Sequence, residues 1–289
     1  MVYNPGFQPS TWRLLQTPPA NGAWNMAVDE AILEAVGDGE MLPTLRLFAW
    51  QPACLSLGVA QSISDVDKSA LEQRGWHLVR RPTGGRAILH TDELTYSVIG
   101  PEDEPRLRGG VLESYRNLAQ ALLNALHRLG IPAQALENRE KIDSSLNEQV
   151  SKANNELNPV CFEVPSIYEI TVDGKKLIGS AQRRQKKGVL QHGSLPLTGD
   201  LGRITQVLHF EDTEARQAAT GRLLMRATTV ESVLSREVTW EEAARAFRDG
   251  FSDVLNLKLI PQGLSERELE RAKLLVRDKY ANPQWTGRV

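Results

Sequence analysis

Cysteine is scarce in this chain. Cys54 and Cys161 are the only two among 289 residues, too few for a disulfide framework, and no Cys/His spacing suggests zinc. Charge of one sign is lacking too. Thirty-four Lys and Arg stand against 36 Asp and Glu, a formal net charge of -2, so no basic field points to nucleic acid. No apolar run approaches about 20 residues, and no transmembrane helix is expected. Residues Met1 to Gly6 lack a charged n-region and an apolar h-region, so no signal peptide is expected. Neither a phosphate-binding G-x-x-x-x-G-K-[ST] loop, nor an internal repeat, nor a low-complexity linker is found. What remains is an ordinary soluble balance, 41% hydrophobic and 24% charged, in a chain long enough for one large domain or two modest ones. The cytosol is the natural compartment, and there Cys161 stays a reduced thiol.

One stretch organises the rest. Asn158, Pro159 and Val160 lead from a polar loop into Cys161 and Phe162. A strand through Ile170, Thr171 and Val172 follows, then Asp173-Gly174, then a second strand carrying Lys176 and continuing through Gly179, Ser180, Ala181 and Gln182. Asp-Gly between two alternating runs is a strong hairpin signal. The fold-back brings Lys176 toward the start of the first strand, where Cys161 lies. A cation beside a thiol lowers its pKa, and the thiolate is the nucleophile. The pair reads as a covalent acyl-transfer site, against the plain alternative of a small buried core cysteine.

Elsewhere the chain reads in order. Thr11 to Gln16 is a strand, broken by Pro18, Pro19, Asn21 and Gly22. Trp24, Ala27, Ala31 and Ala35 fall at helical spacing with Asn21 as cap, and Asn25, Asp29 and Glu30 are taken as a solvated polar face. Thr44–Trp50 and Cys54–Gly58 are strands, with Cys54 in the core, and Val66–Arg74 is a short helix. His77 to His90 reads as strand, tight Gly84-Gly85 loop, strand, with Arg80, Arg81 and Arg86 around the loop. Paired glycines let a backbone approach a ligand, and their N–H groups can hold an oxygen. A hairpin turn with surface arginines is the alternative, and His90 is read as a structural histidine ahead of a ligand or base. Leu94–Ile99 is a strand, and Tyr115, Leu118, Leu122, Leu126 and Leu129 mark a long helix stopped by Gly130. Asn138 to Asn158 is a polar loop, a candidate lid or an insertion without a role. Arg183 to Lys187 is a basic cluster, a solvated turn or a docking surface for an acidic protein. From Leu197 onward only helices are expected. Capping boxes at Thr239/Glu242 and Ser265/Glu268 open two of them.

These segments together resemble the biotin/lipoate ligase and transferase superfamily. Arg80-Arg81-Pro82-Thr83-Gly84-Gly85-Arg86 with His90 is similar to its acyl-binding loop, and Lys176 to Gln182 is similar to its lysine-bearing strand. Arginine and glycine pairs in the loop are common to its ligases and transferases. Cys161 between Val160 and Phe162, and Arg86 where ligases more often have a third glycine, resemble the octanoyl-carrier-protein:protein octanoyltransferases of the LipM type. Thr91 departs from the acidic residue often found after the histidine.

The resemblance implies an α+β fold, a mixed β-sheet flanked by helices. A catalytic domain over 1–235 and a small helical C-terminal extension over 236–289 are expected. It implies an octanoyl carrier protein as donor and a lipoyl-domain protein as acceptor, either a glycine cleavage H protein or a 2-oxoacid dehydrogenase E2. No cofactor, metal, nucleic acid or membrane is called for, and a monomer is the default. Cys161 and Lys176 would be catalytic. Arg80, Arg81, Thr83, Gly84, Gly85, Arg86, His90, Gly179, Ser180, Ala181, Gln191, His192 and Gly193 would bind substrate. A thioester exchanged for an amide runs downhill without ATP. An ATP-dependent lipoate ligase, a relay amidotransferase between lipoyl proteins and a non-catalytic lipoyl-domain binding module stand as alternatives.

Overall fold

The computed structural model describes residues 6–137, 168–185 and 188–289. An eight-stranded mixed sheet runs through it. Its strands are β1 (Ser10–Gln16), β2 (Thr44–Phe48), β6 (Glu93–Gly100), β7 (Gln134–Glu137), β8 (Tyr168–Val172), β9 (Lys175–Gln185), β10 (Gly188–Pro196) and β11 (Leu257–Pro261). Their order is β11-β1-β2-β6-β10-β9-β8-β7, parallel across β11, β1 and β2 and antiparallel beyond. A second sheet of three short strands, β3 (Cys54–Leu57), β4 (His77–Arg80) and β5 (Ile88–His90), has the order β4-β3-β5. The strands flanking the Gly84-Gly85 loop therefore do not form a hairpin. β3 lies between them, parallel to β4 and antiparallel to β5.

The helices are α1 (Gly22–Gly37), α2 (Lys68–Gln73), α3 (Val111–Arg128), α4 (Thr213–Arg226), α5 (Val230–Leu234), α6 (Trp240–Leu255), α7 (Glu266–Leu275) and α8 (Pro283–Thr286). The Asn21 side chain caps α1 by accepting from Trp24 N, and Gly130 takes φ +85° after α3. Ser265 and Glu268 form the expected capping box on α7. Thr239 caps α6, but Glu242 turns its carboxylate to Arg236.

One face of the large sheet packs on α3 and α6, where Leu47, Tyr96 and Ile178 meet Leu118, Leu122, Phe247 and Phe251. The other packs on α1, where Phe48, Ile99 and Leu190 meet Met26, Val28 and Ile32. The expectation that no strand follows Leu197 is corrected: Leu257–Pro261 extends the sheet beside β1. It is short and ends on proline, which an edge position tolerates because one N–H row needs no partner. Segment 236–289 thus supplies a helix to one face, an edge strand, and α7 to the face of α1.

Candidate active site

Strand register lays out the site. Arg46, Ser97, His192 and Ala181 stand in one row across β2, β6, β10 and β9, and Phe48, Thr95, Ser194 and Gly179 stand in the next. These side chains share the face toward α1, because alternate residues of a strand point the same way. Leu47, Tyr96, Gly193 and Ser180 form the intervening row, which faces the α3/α6 core.

Helix α1 brings acid to the polar face. Asp29 is fully buried, so the expectation of a solvated face for Asn25, Asp29 and Glu30 is overturned. Asp29 Oδ1 lies 2.7 Å from Arg46 Nη1, and its Oδ2 accepts from Ser97 Oγ at 2.8 Å. Burial pushes the Asp29 carboxyl up, but Arg46 and His192 outweigh it and hold it below the ordinary carboxylate value. Arg46 also donates to Asn25 O and Asn25 Oδ1. Glu30 is tied to Lys279 and the Tyr280 hydroxyl. Periodicity missed this cluster because it cannot tell water from a buried arginine. The available signal was composition: Asp29 and Glu30 interrupt an otherwise apolar run from Met26 to Leu33.

His192 joins the two sheets. Its Nδ1 lies 3.4 Å from Asp29 Oδ2, and its Nε2 lies 2.7 Å from the Thr83 hydroxyl. Burial is the main force lowering its pKa, with Arg81 and His90 adding to it, so the ring is neutral at pH 7. Thr83 opens the glycine loop, and its carbonyl accepts from Val59 N. Gly84 and Gly85 are exposed, and Gly85 takes φ +91°. The loop lies so close to Gly58 that a Cβ there would sit 1.8 Å from Gly85 O. Arg81 braces the loop from within, with Nη2 donating to both Gly84 O and Arg86 O at 2.8 Å. Arg80 points elsewhere: its guanidinium binds the carbonyls of Gly58, Gln61 and Thr286. The Nη2 atom of Arg86 is buried without a hydrogen-bond partner among the described residues.

His90 is structural in its contacts. Nε2 meets Ser56 Oγ at 2.8 Å, Nδ1 meets Glu93 Oε1 at 2.7 Å, and the ring stacks on Trp50 at 4.0 Å. Glu93 also accepts from Thr95 and Ser194. Burial raises its pKa, while His90 and the two hydroxyls more than offset that and keep it ionised. Gln191 donates to Tyr96 Oη and accepts from Gln182, and Ser180 Oγ meets Tyr96 Oη at 2.8 Å. Ser180 and Gln191 therefore turn toward the core, while Ala181 and His192 take the α1 face, from which His192 reaches Thr83 of the glycine loop.

The expected hairpin is present, with Asp173 at φ 49° and Gly174 at φ 76° making its turn. It carries a bulge that sequence did not reveal. Ile170 pairs with Ile178 but Thr171 pairs with Lys176, so β9 holds one extra residue. Leu177 and Ile178 both enter the core. Lys176 is thereby moved onto the face of Gly179 and Ala181, opposite to what simple alternation from Ile178 gives. It is 4% exposed, and its Nζ lies 3.0 Å from Glu169 Oε1 near the start of β8. Cys161, the polar stretch Asn138 to Asn158, Lys186 and Lys187 lie outside the described residues. The rest of that basic cluster continues β9 as strand, and Arg184 donates to Leu107 O. Cys54 is a fully buried core residue whose thiol is held protonated by burial.

No group of three metal-ligating side chains occurs among the described residues, and none of their helices is long and apolar enough to cross a membrane. Residues 21–252 match the family described as the lipoyl protein ligase A/B catalytic domain. A relative from Brevibacillus brevis named octanoyltransferase LipM is 40% identical over 278 residues, which span 96% of this chain and 99% of the relative. Its namesake from Bacillus subtilis is 37% identical over 280 residues, spanning 96% and 98%. A bipartite lipoate protein ligase from Thermoplasma acidophilum, solved as part of an archaeal lipoylation system, aligns with TM-score 0.77 and 25% identity over 98% of both chains. A lipoate-protein ligase A bound with ATP aligns at TM-score 0.74 with 24% identity, covering 98% of this chain and all of that one, and speaks to the fold alone. The chain thus belongs to the lipoyl protein ligase A/B catalytic domain family, on its LipM octanoyltransferase branch.

Proposed function

We propose that this protein moves an octanoyl group from an octanoyl carrier protein to a lysine of a lipoyl domain, by way of a thioester on Cys161. The observation that carries the reading is Lys176. A bulge turns this lysine onto the polar face, it is almost fully buried, and its ammonium reaches back toward the strand that follows Cys161. An ammonium group in so dry a place favours a neighbouring thiolate. That thiolate attacks the donor's thioester carbonyl, the carrier thiol leaves with a proton, and the acyl group stays on sulfur. Lys176 supplies or accepts the proton. Backbone N–H groups of the Gly84-Gly85 loop stabilise the developing oxyanion. The acceptor amine then attacks and expels the Cys161 thiolate. Relatives of nearly equal length that carry the octanoyltransferase name support this assignment. A cytosolic setting suits it, since the thiol must stay reduced.

Intact-protein mass spectrometry after mixing with octanoyl carrier protein tests the reading. An octanoyl adduct is expected, formed without ATP, absent from Cys161→Ala and much slower to form in Lys176→Met. Transfer that requires ATP and survives Cys161→Ala would instead make the protein a ligase. Binding of a lipoyl domain with no covalent adduct under any condition would make it a binding module.

A further inference from the structure

Helix α4 buries only Ala219 and Leu223 of its 14 residues. Met225 is 68% exposed and Leu224 43%, and Met225 is the most exposed large hydrophobic side chain among the described residues. Cations surround the pair. Arg222 and Arg226 are exposed one turn apart. Lys175, in the first position of β9, reaches the same helix end, where its Nζ donates to Leu224 O at 3.1 Å. The acidic groups of the helix, Asp212 and Glu214, stand at its other end, and Asp173 is exposed in the turn before Lys175. A helix C-terminus attracts cations through its dipole, which accounts for Arg226 and Lys175. It does not account for Arg222, because like charges four residues apart repel on a helix. Nor does it account for an apolar centre left in water.

Gly221 is a second observation on the same face. It sits inside α4, where glycine costs about 1 kcal/mol relative to alanine. A Cβ there would meet nothing within 4 Å, so no described residue requires the glycine. Ala218, Gly221, Arg222 and Met225 share one exposed side at the i, i+3, i+4, i+7 spacing. Methionine and arginine are the residues that protein interfaces favour, and a glycine among them lets a partner approach the helix closely.

We infer that this face of α4 docks the donor, the octanoyl carrier protein, through an acidic surface with an apolar centre, a role that rests on the transferase reading above. Carboxylates on the partner answer Lys175, Arg222 and Arg226, and an apolar side chain covers Met225. Arg222 and Arg226 each have a contact already, and the five donors of a guanidinium can serve a second. The face is tied to the active lysine. Lys176 and Ala227 form a parallel bridge, and Thr228 N donates to Lys176 O at 3.0 Å. Ala227 thus lies about 5 Å from Lys176, and the docking face starts within about 10 Å of it and runs on along the helix. A carrier protein holds its acyl group on a flexible arm of about 13 bonds, roughly 15 Å long at the advance per bond of an extended backbone. That arm spans the gap between the face and Lys176. An acceptor lysine reaches only about 6 Å and must be brought directly over the site. The span therefore assigns the face to the donor.

The experiment compares two donors with the same thioester: octanoyl carrier protein, and octanoyl-pantetheine, which has the arm without the protein. Met225→Asp puts a carboxylate at the exposed centre of the face. Loading from the carrier should fall about tenfold or more in kcat/KM, through KM, while loading from octanoyl-pantetheine and discharge of octanoylated enzyme to a lipoyl domain stay within about twofold. Gly221→Gln enters open space in the free protein and should show the same split. Equal losses with both donors, or no loss with the carrier, would overturn the dock. A loss that extends to discharge by the lipoyl domain would give the face to the acceptor and overturn the donor assignment. Titration with octanoyl carrier protein reads the face apart from the chemistry, and Met225→Asp should bind about tenfold more weakly than wild type. Equal affinity, or a wild type that does not bind the carrier, would overturn the dock. A wild type that binds the carrier more tightly than Met225→Asp yet never acquires octanoyl from either donor ends the transferase reading alone.

Discussion

Arg46 Nη1 lies 2.7 Å from Asp29 Oδ1, and neither side chain has any exposed surface. The pair ties β2 to α1 beneath the glycine loop. Every edge of the guanidinium is used, because Arg46 also reaches Asn25 O, Asn25 Oδ1 and Thr17 Oγ1. Removing one member of a buried pair strands the other's charge, which costs about 3–5 kcal/mol. Arg46→Met should therefore lose most of that amount in urea unfolding. Arg46→Lys should recover only part of it, since a point charge cannot reproduce the fork. A loss under about 1 kcal/mol for Arg46→Met would show that the pair does not brace the fold.

Acid should weaken the fold in two stages. Folding lowers the pKa of His192 below its ordinary 6.5, so the unfolded chain binds the proton more readily. The stability from keeping this ring neutral is complete above pH 6.5 and is lost as pH falls from there through the folded value. Asp29, Glu93 and Glu268 are also lowered, from ordinary values of 3.8, 4.5 and 4.5. Their contribution is complete above those values and disappears at lower pH. Urea midpoints from pH 7 to 5 should decline in the wild type and decline less steeply in His192→Gln. Parallel curves for the two proteins would remove His192 as the cause.

The C-terminal segment clamps the arginine at the head of the loop. Arg80 Nη2 donates to Thr286 O at 2.7 Å, Trp285 Nε1 donates to Arg80 O at 2.8 Å, and Ile63 N donates to Val289 O. Each buried carbonyl left unpaired costs about 1–3 kcal/mol. Arg80→Ala strands those of Gly58 and Gln61 as well as Thr286. It should destabilise the protein more than Trp285→Ala, and both should expose residues near 281–289 to limited proteolysis. Unchanged cleavage in both variants would mean that the clamp does not hold the tail.

Much of this arrangement was legible from residues alone, and the remainder has a common physical reason. The Asp173-Gly174 turn, the Asn21 cap and the leucine face of α3 are local signals, each set within a few residues, and all three are present. The glycine loop was legible as a loop, but not the insertion of β3 between its flanking strands, which depends on a segment about twenty residues earlier. Asp29 looked solvated because its partners, Arg46, Ser97 and His192, are all distant in sequence. The bulge at Leu177 is a matter of pairing and leaves no mark in composition. Edge strand β11 was hidden by its shortness and its proline.

Gly193 separates close approach from mere flexibility. It stands opposite Ser180 on β9 and Tyr96 on β6. A Cβ there would lie 2.5 Å from Tyr96 Cε1, 2.7 Å from Ser180 Oγ and 2.8 Å from Gly179 O. The tyrosine cannot swing aside freely, because its hydroxyl is bonded to Ser180 and Gln191. The carbonyl is main chain and moves only if β9 moves. Gly193→Ala should thus cost about 1–3 kcal/mol, typical of overpacking a filled interior. The same displacement shifts the neighbouring His192 away from Thr83, so transfer to the lipoyl domain should fall further than stability alone requires. Gly84→Ala is the contrast, since nothing lies within 4 Å of its Cβ position, and it should melt with the wild type. Melting curves of the two variants, recorded beside transfer rates, decide the matter. If Gly193→Ala unfolds within about 1 °C of Gly84→Ala, the tight pairing of β10 with β9 is not what fixes the imidazole.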